Sequence, residues 1–134
     1  MSSVPPWLDK ISSPLDTKLG VEITELSPER AVGSMPVEGN EQPFGLLHGG
    51  ASGVLVETLA SMCAMAHGYP DRVGVGVDLN VTHVRAATSG RVTGTATAIH
   101  LGGRVVSYAV EVVDDHGRTT AVGRLTCQMI TPPR

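Results

Sequence analysis

The sequence contains few cysteine, aromatic and charged residues. It holds two cysteines, one tryptophan, two tyrosines and one phenylalanine, and only 17% of its residues are charged. Two cysteines without a CxxC spacing exclude a disulfide-rich framework, so we expect Cys63 and Cys127 to be small buried residues in a reducing compartment. The formal net charge of -3 argues against non-specific attraction to nucleic acid or to an anionic membrane.

Long apolar runs are also missing. The run over residues 51–66 is too short for a membrane span, and it is interrupted by Ser52, Glu57 and Ser61. The first ten residues contain Pro5-Pro6-Trp7, where a signal peptide needs an unbroken apolar stretch. We therefore expect no membrane partner and a cytoplasmic location.

The composition fits one folded domain over residues 1–134. Hydrophobic residues make up 41% of the chain, and a chain of this length buries roughly two thirds of its unfolded surface. We find no internal repeat, low-complexity tract or linker that would divide it.

A helical period covers residues 48–68. Apolar side chains recur there at intervals of three and four, at Ala51, Val54, Leu55, Leu59, Met62, Met65 and Ala66. Because Val56, Ala60, Cys63 and Ala64 make the other side apolar too, we expect a helix surrounded by protein.

Strand patterns flank this helix. Residues 21–26 and 31–37 precede it, after a short helical turn over residues 13–19. Beyond Asp71 the period becomes two, which predicts a strand with Val73, Val75, Val77, Leu79 and Val81 on one face. Three more strands follow near residues 91–100, 105–113 and 119–130. The pattern predicts an α+β fold in which a six-stranded antiparallel sheet wraps around one long central helix.

Glu57 is the only formal charge between Pro43 and Pro70. An uncompensated carboxylate in an apolar helix costs several kcal/mol by order of magnitude, so its presence asks for a functional reason. Ser61 follows one turn later on the same face, where its hydroxyl could hold the carboxylate in one orientation.

His48-Gly49-Gly50 opens the predicted helix. Unpaired N–H groups and the positive end of the helix dipole make such a start a potential oxyanion site. Each feature alone also has a structural explanation: the glycines could serve packing, His48 could cap the helix, and Glu57 could face solvent. Together they favour a site, because the residues flanking Glu57 on its own stripe are uncharged.

Other catalytic motifs fail on their spacing. Ala51 stands where a P-loop needs lysine, and His48, Glu57 and His67 do not form the HExxH metal pattern. Gly74-Val75-Gly76 lies within a strand, and Ala51-Ser52-Gly53 lacks the GxSxG frame. We therefore expect no catalytic metal.

The run Gln42-Pro-Phe-Gly-Leu-Leu-His48-Gly-Gly, followed by Glu57 and Ser61, resembles the hotdog-fold acyl-CoA thioesterases, and in particular their aryl-CoA branch. The resemblance extends over residues 19–130. It implies that Glu57 is the nucleophile or general base, and that the Gly49 N–H and the Gln42 side chain polarise the thioester carbonyl. It also implies that His48 positions the thioester and that Ser61 orients Glu57 or water. It also implies a homo-oligomer, a dimer or a tetramer of two dimers, in which two chains share each site.

The same resemblance implies an acyl-CoA substrate and no separate cofactor. An acidic protein must hold the phosphates of coenzyme A with local cations or N–H groups, and the candidates by resemblance are His83, Arg85, His100 and Arg104. All four could equally be ordinary exposed charges at strand ends and turns.

Two other functions use the same scaffold. A hotdog dehydratase acting on hydroxyacyl thioesters would release enoyl thioester and no free thiol. A non-catalytic acyl-CoA-binding domain would bind without turnover, although the chain has no basic stripe for a nucleic-acid partner. The leading expectation is hydrolysis of an aryl-CoA or a short or medium acyl-CoA to the free acid and coenzyme A.

Overall fold

The computed structural model describes residues 3–133. A 3-10 helix (Pro6–Lys10) and the short helix α1 (Pro14–Leu19) lead into two strands, β1 (Glu22–Leu26) and β2 (Arg30–Pro36). The long helix α2 (Gly49–Gly68) follows, and the chain ends with β3 (Val73–His83), β4 (Arg91–Leu101), β5 (Val105–Val113) and β6 (Thr119–Ile130). The 3-10 helix was not predicted; the bounds of the other elements agree with the predicted ones to within two residues.

One antiparallel sheet contains all six strands, in the order β1-β2-β4-β5-β6-β3. Helix α2 contacts every one of them, so the sheet is wrapped around it. The core forms between this helix and the concave face, with Leu55, Leu59 and Tyr108 fully buried. The α+β arrangement predicted from the sequence is confirmed, and β1 and β3 are the sheet edges.

Helix α2 is buried on one side rather than all round. Its buried residues are Ala51, Ser52, Leu55, Val56, Leu59, Ala60, Cys63 and Ala64. Within one chain the expectation of a helix surrounded by protein is met on one side only, because the sheet covers only the side that faces it. Glu57 lies on the side that the sheet leaves open, and it is exposed.

The N-terminal segment covers part of that open side. The Trp7 ring stacks on Tyr69, just beyond the end of α2, with ring centroids 5.0 Å apart. In α1, the Asp16 carboxylate accepts a hydrogen bond of 2.7 Å from the Thr58 hydroxyl. These two contacts fix the segment along one edge of the exposed helix face.

Strand β3 departs from the predicted alternation. Gly76 pairs with Cys127 and Asp78 pairs with Thr126, so the register shifts between them and Val77 stands outside the pairing. A bulge of this kind reverses the faces that follow it. The valines of β3 therefore do not share one face, and Val75 and Val77 are 44% and 60% exposed.

By length and mean hydropathy (1.2), α2 would reach across a membrane, although residues 51–66 alone were expected to be too short and too polar. In this fold α2 is the helix around which the sheet is wrapped.

Candidate functional site

Gln42 lies in a loop that is tied down at several points. The Asn40 side chain donates to the carbonyls of Leu19 and Pro36 at 2.7 and 2.8 Å, and the Leu47 N–H donates to the Ala87 carbonyl at 2.9 Å. The loop between β2 and α2 is therefore anchored at both ends.

The Gln42 amide has a defined orientation within this loop. Its Oε1 accepts hydrogen bonds from the N–H groups of Phe44 (2.5 Å) and Leu46 (3.2 Å). The amide nitrogen consequently points away from those two donors and is available to donate to a ligand.

The start of α2 leaves a donor unused. The His48 Nδ1 accepts a hydrogen bond from the Gly50 N–H at 2.8 Å. His48 therefore caps the helix, which was the structural role considered for it from the sequence. Within residues 3–133, the Gly49 N–H donates to no protein acceptor. Gly49 therefore offers a free backbone donor at the positive end of the helix dipole.

Gln42 and Gly49 line one cleft of about 460 Å³. The cleft is also lined by His83 and Arg85, which follow from the end of β3. The His83 ring lies directly against Gly49, since a Cβ built on Gly49 would be 2.9 Å from its Nε2. The structure thus joins two predicted carbonyl-polarising residues with two predicted phosphate-binding residues.

The His48 ring faces a different cleft. That cleft, of about 300 Å³, is lined by Leu19, Asn40, Glu41, Gly50 and Val54 besides His48 and Ala51. Within one chain, His48 therefore lines a different cleft from Gln42 and Gly49.

Glu57 lies against the edge strand β3. Its Oε2 is 2.8 Å from the position that a Cβ on Gly76 would occupy, so the carboxylate rests directly over that glycine. Burial raises the pKa of the Cys127 thiol to about 11, and the negative charge of Glu57 contributes to the rise. Within residues 3–133 no hydrogen bond or ion pair holds the Glu57 carboxylate, so it is available for chemistry.

Ser61 does not hold Glu57 as its spacing suggested. Its hydroxyl lies beside the Cys127 thiol, whose pKa it lowers against the larger effect of burial. The helical spacing was right to place both side chains on one face, but the Ser61 hydroxyl is turned toward β6 rather than toward the carboxylate.

Glu57 and the Gln42–Gly49 cleft are separated within one chain. Glu57 follows Gly49 by eight residues of helix, which corresponds to about 12 Å along the axis. A single thioester carbonyl cannot contact both. The isolated chain therefore presents two halves of the predicted site rather than the whole.

The four candidate phosphate-binding residues are also divided. His83 pairs with Ala121 near the start of β6, whereas Val105, next to Arg104, pairs with Gln128 near its end. These points are about 23 Å apart along β6. His83 and Arg85 therefore lie at one end of the sheet, and His100 and Arg104 at the other.

Sequence reasoning missed candidate functional residues at both ends of the sheet. Ser52 and Thr120 line the Gln42–Gly49 cleft. Ser52 could have been found, because three residues after Gly49 places it on the same side of the first turn. At the opposite end, the Arg72 guanidinium donates to the carbonyls of Gly103 (2.8 Å) and Met129 (2.6 Å), a contact that no spacing signals.

Residues 3–133 contain no group of three or more histidine, cysteine or acidic side chains arranged to hold a metal ion. The groups present are backbone and amide donors, one free carboxylate and nearby cations. Such groups can polarise a carbonyl, activate water and bind an anionic ligand.

Comparisons with known proteins agree with this chemistry. The model of the Thioesterase superfamily matches residues 44–121. A protein of Deinococcus radiodurans is 45% identical over 87% of this chain and 74% of its own length. The 1,4-dihydroxy-2-naphthoyl-CoA hydrolase of Escherichia coli is 36% identical over 84% of this chain and 83% of its own. A thioesterase of Haemophilus influenzae has a similar structure, with a TM-score of 0.83, 34% identity, and coverage of 87% of this chain and 82% of that one.

The match covers more than half of the chain, and the relatives extend over most of its length. The chain therefore belongs to the thioesterase superfamily, has the hotdog fold and is a thioester hydrolase.

Proposed function

We propose that the enzyme hydrolyses an acyl-CoA thioester, of the aryl or the short to medium acyl class, to the free acid and coenzyme A. The observation that carries the proposal is the free Gly49 N–H, which lines one cleft together with the Gln42 side chain. Two fixed hydrogen-bond donors in one cleft are what a developing oxyanion requires. The 36% identity to a naphthoyl-CoA hydrolase supports an aryl substrate.

In this proposal Glu57 supplies the base or the nucleophile. As a base it removes a proton from water while the water oxygen bonds to the thioester carbon; the C–S bond then breaks and the proton passes to the departing sulfur. As a nucleophile its carboxylate bonds to the thioester carbon, the C–S bond breaks and coenzyme A leaves as the thiolate; water then opens the resulting anhydride, which releases the acid, restores Glu57 and supplies the proton that the thiolate takes up. Coenzyme A enters with the substrate, and the reaction needs no further cofactor.

The 12 Å separation of the two halves leads us to propose that two chains build each site, with Glu57 of one chain facing Gln42 and Gly49 of another. The exposed edge of β3 supports a contact between copies there, since it carries Val75, Val77 and Leu79 at 40% exposure or more. A symmetric dimer would contain two such sites, and two dimers would form the tetramer that the family resemblance implies.

Phosphate binding follows from the same arrangement. Antiparallel pairing of two β3 edges sets the His83 end of one sheet beside the opposite end of the other. Arg85 of one chain and Arg104 of its partner would then serve one coenzyme A, with His83 and His100 beside them. The two free, buried thiols fit a reducing compartment, so we place the enzyme in the cytoplasm.

The test is a thiol-release assay on a panel of aryl-CoA and alkyl-CoA thioesters. We expect Glu57→Gln and Glu57→Ala to lose at least about a hundredfold in kcat, since each removes the base but leaves the cleft intact. Wild-type turnover by both variants would refute the role of Glu57. Formation of an enoyl thioester without free thiol would refute hydrolysis.

Complementation tests the shared site. Glu57→Ala and Gln42→Ala chains are each expected to be inactive, but a mixed dimer contains one site with both residues intact. Random mixing by co-refolding should restore about a quarter of wild-type activity. An inactive mixture in which mixed dimers are demonstrated would show that each chain carries its own site.

A further inference from the structure

We propose that Gly76 is a positioning residue for Glu57: by lacking a side chain it forms the floor on which the catalytic carboxylate rests. This inference depends on the proposed role of Glu57 and adds a second position, on another element, that the reaction requires.

The contact is direct. A Cβ on Gly76 would be 2.8 Å from the Glu57 Oε2 and 3.9 Å from its Cδ, too close for the carboxylate to keep its place. On the other side the same Cβ would be 3.2 Å from the Leu125 Cδ1. A methyl group at this position therefore has no room beside the core and must displace the more mobile neighbour, the end of the Glu57 side chain.

Backbone conformation does not explain the glycine. The glycines with positive φ are at positions 20, 39, 45, 90 and 117, so the φ angle of Gly76 is one that any residue can adopt. Glycine within a strand costs roughly 0.5–1 kcal/mol relative to alanine. Gly76 therefore lowers the stability of the strand although its backbone conformation does not require glycine. The feature that does require glycine is the space that the Glu57 carboxylate occupies.

The bulge reinforces the arrangement. Without the register shift after Gly76, residue 78 would be the next to face the helix, and an aspartate would stand beside Glu57. The shift instead pairs Leu79 with the buried Leu125. Gly76 and the bulge together leave the Glu57 carboxylate above bare backbone, with no second carboxylate beside it.

The position of the Glu57 carboxylate depends on steric contact because no ion pair in the described part of the chain holds it. Within residues 3–133 the ion pairs join Arg30 to Glu25, Arg91 to Glu22 and Arg118 to Asp114, and none includes Glu57. The Cys127 thiol on β6 lies close enough for the negative charge of Glu57 to raise its pKa, and the Ser61 hydroxyl is turned toward that thiol rather than toward the carboxylate. The backbone at Gly76 is therefore the surface that limits where the carboxylate can lie.

The test compares Gly76→Ala with Gly74→Ala. Both glycines face the helix from β3, but a Cβ on Gly74 would be 2.6 Å from the Ala64 Cβ, in the core. We expect Gly76→Ala to keep its melting temperature, its size on gel filtration and its KM, and to lose roughly tenfold to a hundredfold in kcat, because a displacement of about 1 Å at a reacting group has that effect. Gly74→Ala should instead melt at a lower temperature while its folded fraction keeps its kcat.

A double-mutant cycle with Glu57→Asp separates positioning from general damage. The shorter aspartate does not reach the added methyl group, so Gly76→Ala should cost kcat several-fold less in the Glu57→Asp background than in the wild type. If Gly76→Ala does lower the melting temperature, adding Glu57→Ala should restore it, because the collision is with the carboxylate.

Two results would overturn the inference: wild-type kcat in Gly76→Ala, or losses that multiply independently across the cycle. If Glu57→Ala itself retained full activity, the proposed function would fail instead, so the two failures are distinguishable.

Discussion

Replacing Gln42 by glutamate tests whether its amide nitrogen is a donor to the thioester oxygen. Glutamate has the same shape, and one carboxylate oxygen can accept from the Phe44 and Leu46 N–H groups as Oε1 does now, at 2.5 and 3.2 Å. The anchored loop should therefore keep its conformation. The other oxygen would replace the donor –NH₂ group with an acceptor that bears negative charge.

The expected loss can be estimated from these contacts. Removing one oxyanion donor costs about 2.7–4 kcal/mol in the transition state, or roughly a hundredfold to a thousandfold in kcat, and the added charge should place Gln42→Glu at the upper end. Stability should stay within about 0.5 kcal/mol of wild type, because both loop hydrogen bonds persist.

The measurement pairs kcat from thiol release with urea unfolding. Gln42→Ala is the comparison, since it removes the donor and both loop acceptors together and should lose stability as well as kcat. A Gln42→Glu enzyme with kcat within threefold of wild type, or one that loses stability as much as Gln42→Ala, would refute the donor assignment.

Three further predictions concern the fold that holds the site. Tyr108 is fully buried and its hydroxyl donates to the Pro28 carbonyl at 2.7 Å, so Tyr108→Phe should destabilise the protein by about 1–3 kcal/mol in urea unfolding, and an unchanged midpoint would contradict this. Burial alone would raise the pKa of Asp114, but hydrogen bonds from the Arg118 and His116 N–H groups and the Arg118 guanidinium lower it below 3.8. The ionised Asp114 therefore stabilises the fold above that pH, and this contribution is lost as the pH falls. When the melting temperature is measured at decreasing pH, it should fall less steeply in Asp114→Asn than in the wild type. Parallel curves for the two proteins would contradict this prediction. Burial raises the pKa of Cys63 to about 12, with a smaller contribution from Glu29, and it raises the pKa of Cys127 to about 11. A thiol reagent at neutral pH should therefore label neither cysteine until the protein unfolds. Rapid labelling of the native protein would contradict this, because it would show that a thiol is accessible.

Periodicity carried the prediction of this fold because one long helix against one sheet gives two clear periods. The period of 3.6 located α2, and turn residues separated the strands after it. The bulge in β3 was beyond that reasoning. Alternating glycine and valine before it, and alternating polar and apolar residues after it, read as one continuous pattern, while the actual strand changes face in the middle.

The site was predicted in its residue types more than in its geometry. Gln42 and Gly49 were expected to act together, and they line one cleft. The assignment of His48 to the thioester and the hydrogen bond from Ser61 depended on side-chain directions, which helical spacing alone does not determine. Which end of the sheet each arginine reaches depends on strand order, and the enclosure of Glu57 that we propose would depend on a second chain.

The stack of Trp7 on Tyr69 gives this enzyme an internal optical reporter. Trp7 is the sequence's one indole, and its ring lies where the N-terminal segment meets the end of α2. Tryptophan fluorescence, excited at wavelengths that tyrosine does not absorb, therefore senses that junction. Release of the segment would separate the two rings and shift the tryptophan emission, so an opening confined to this junction can be distinguished from unfolding of the sheet.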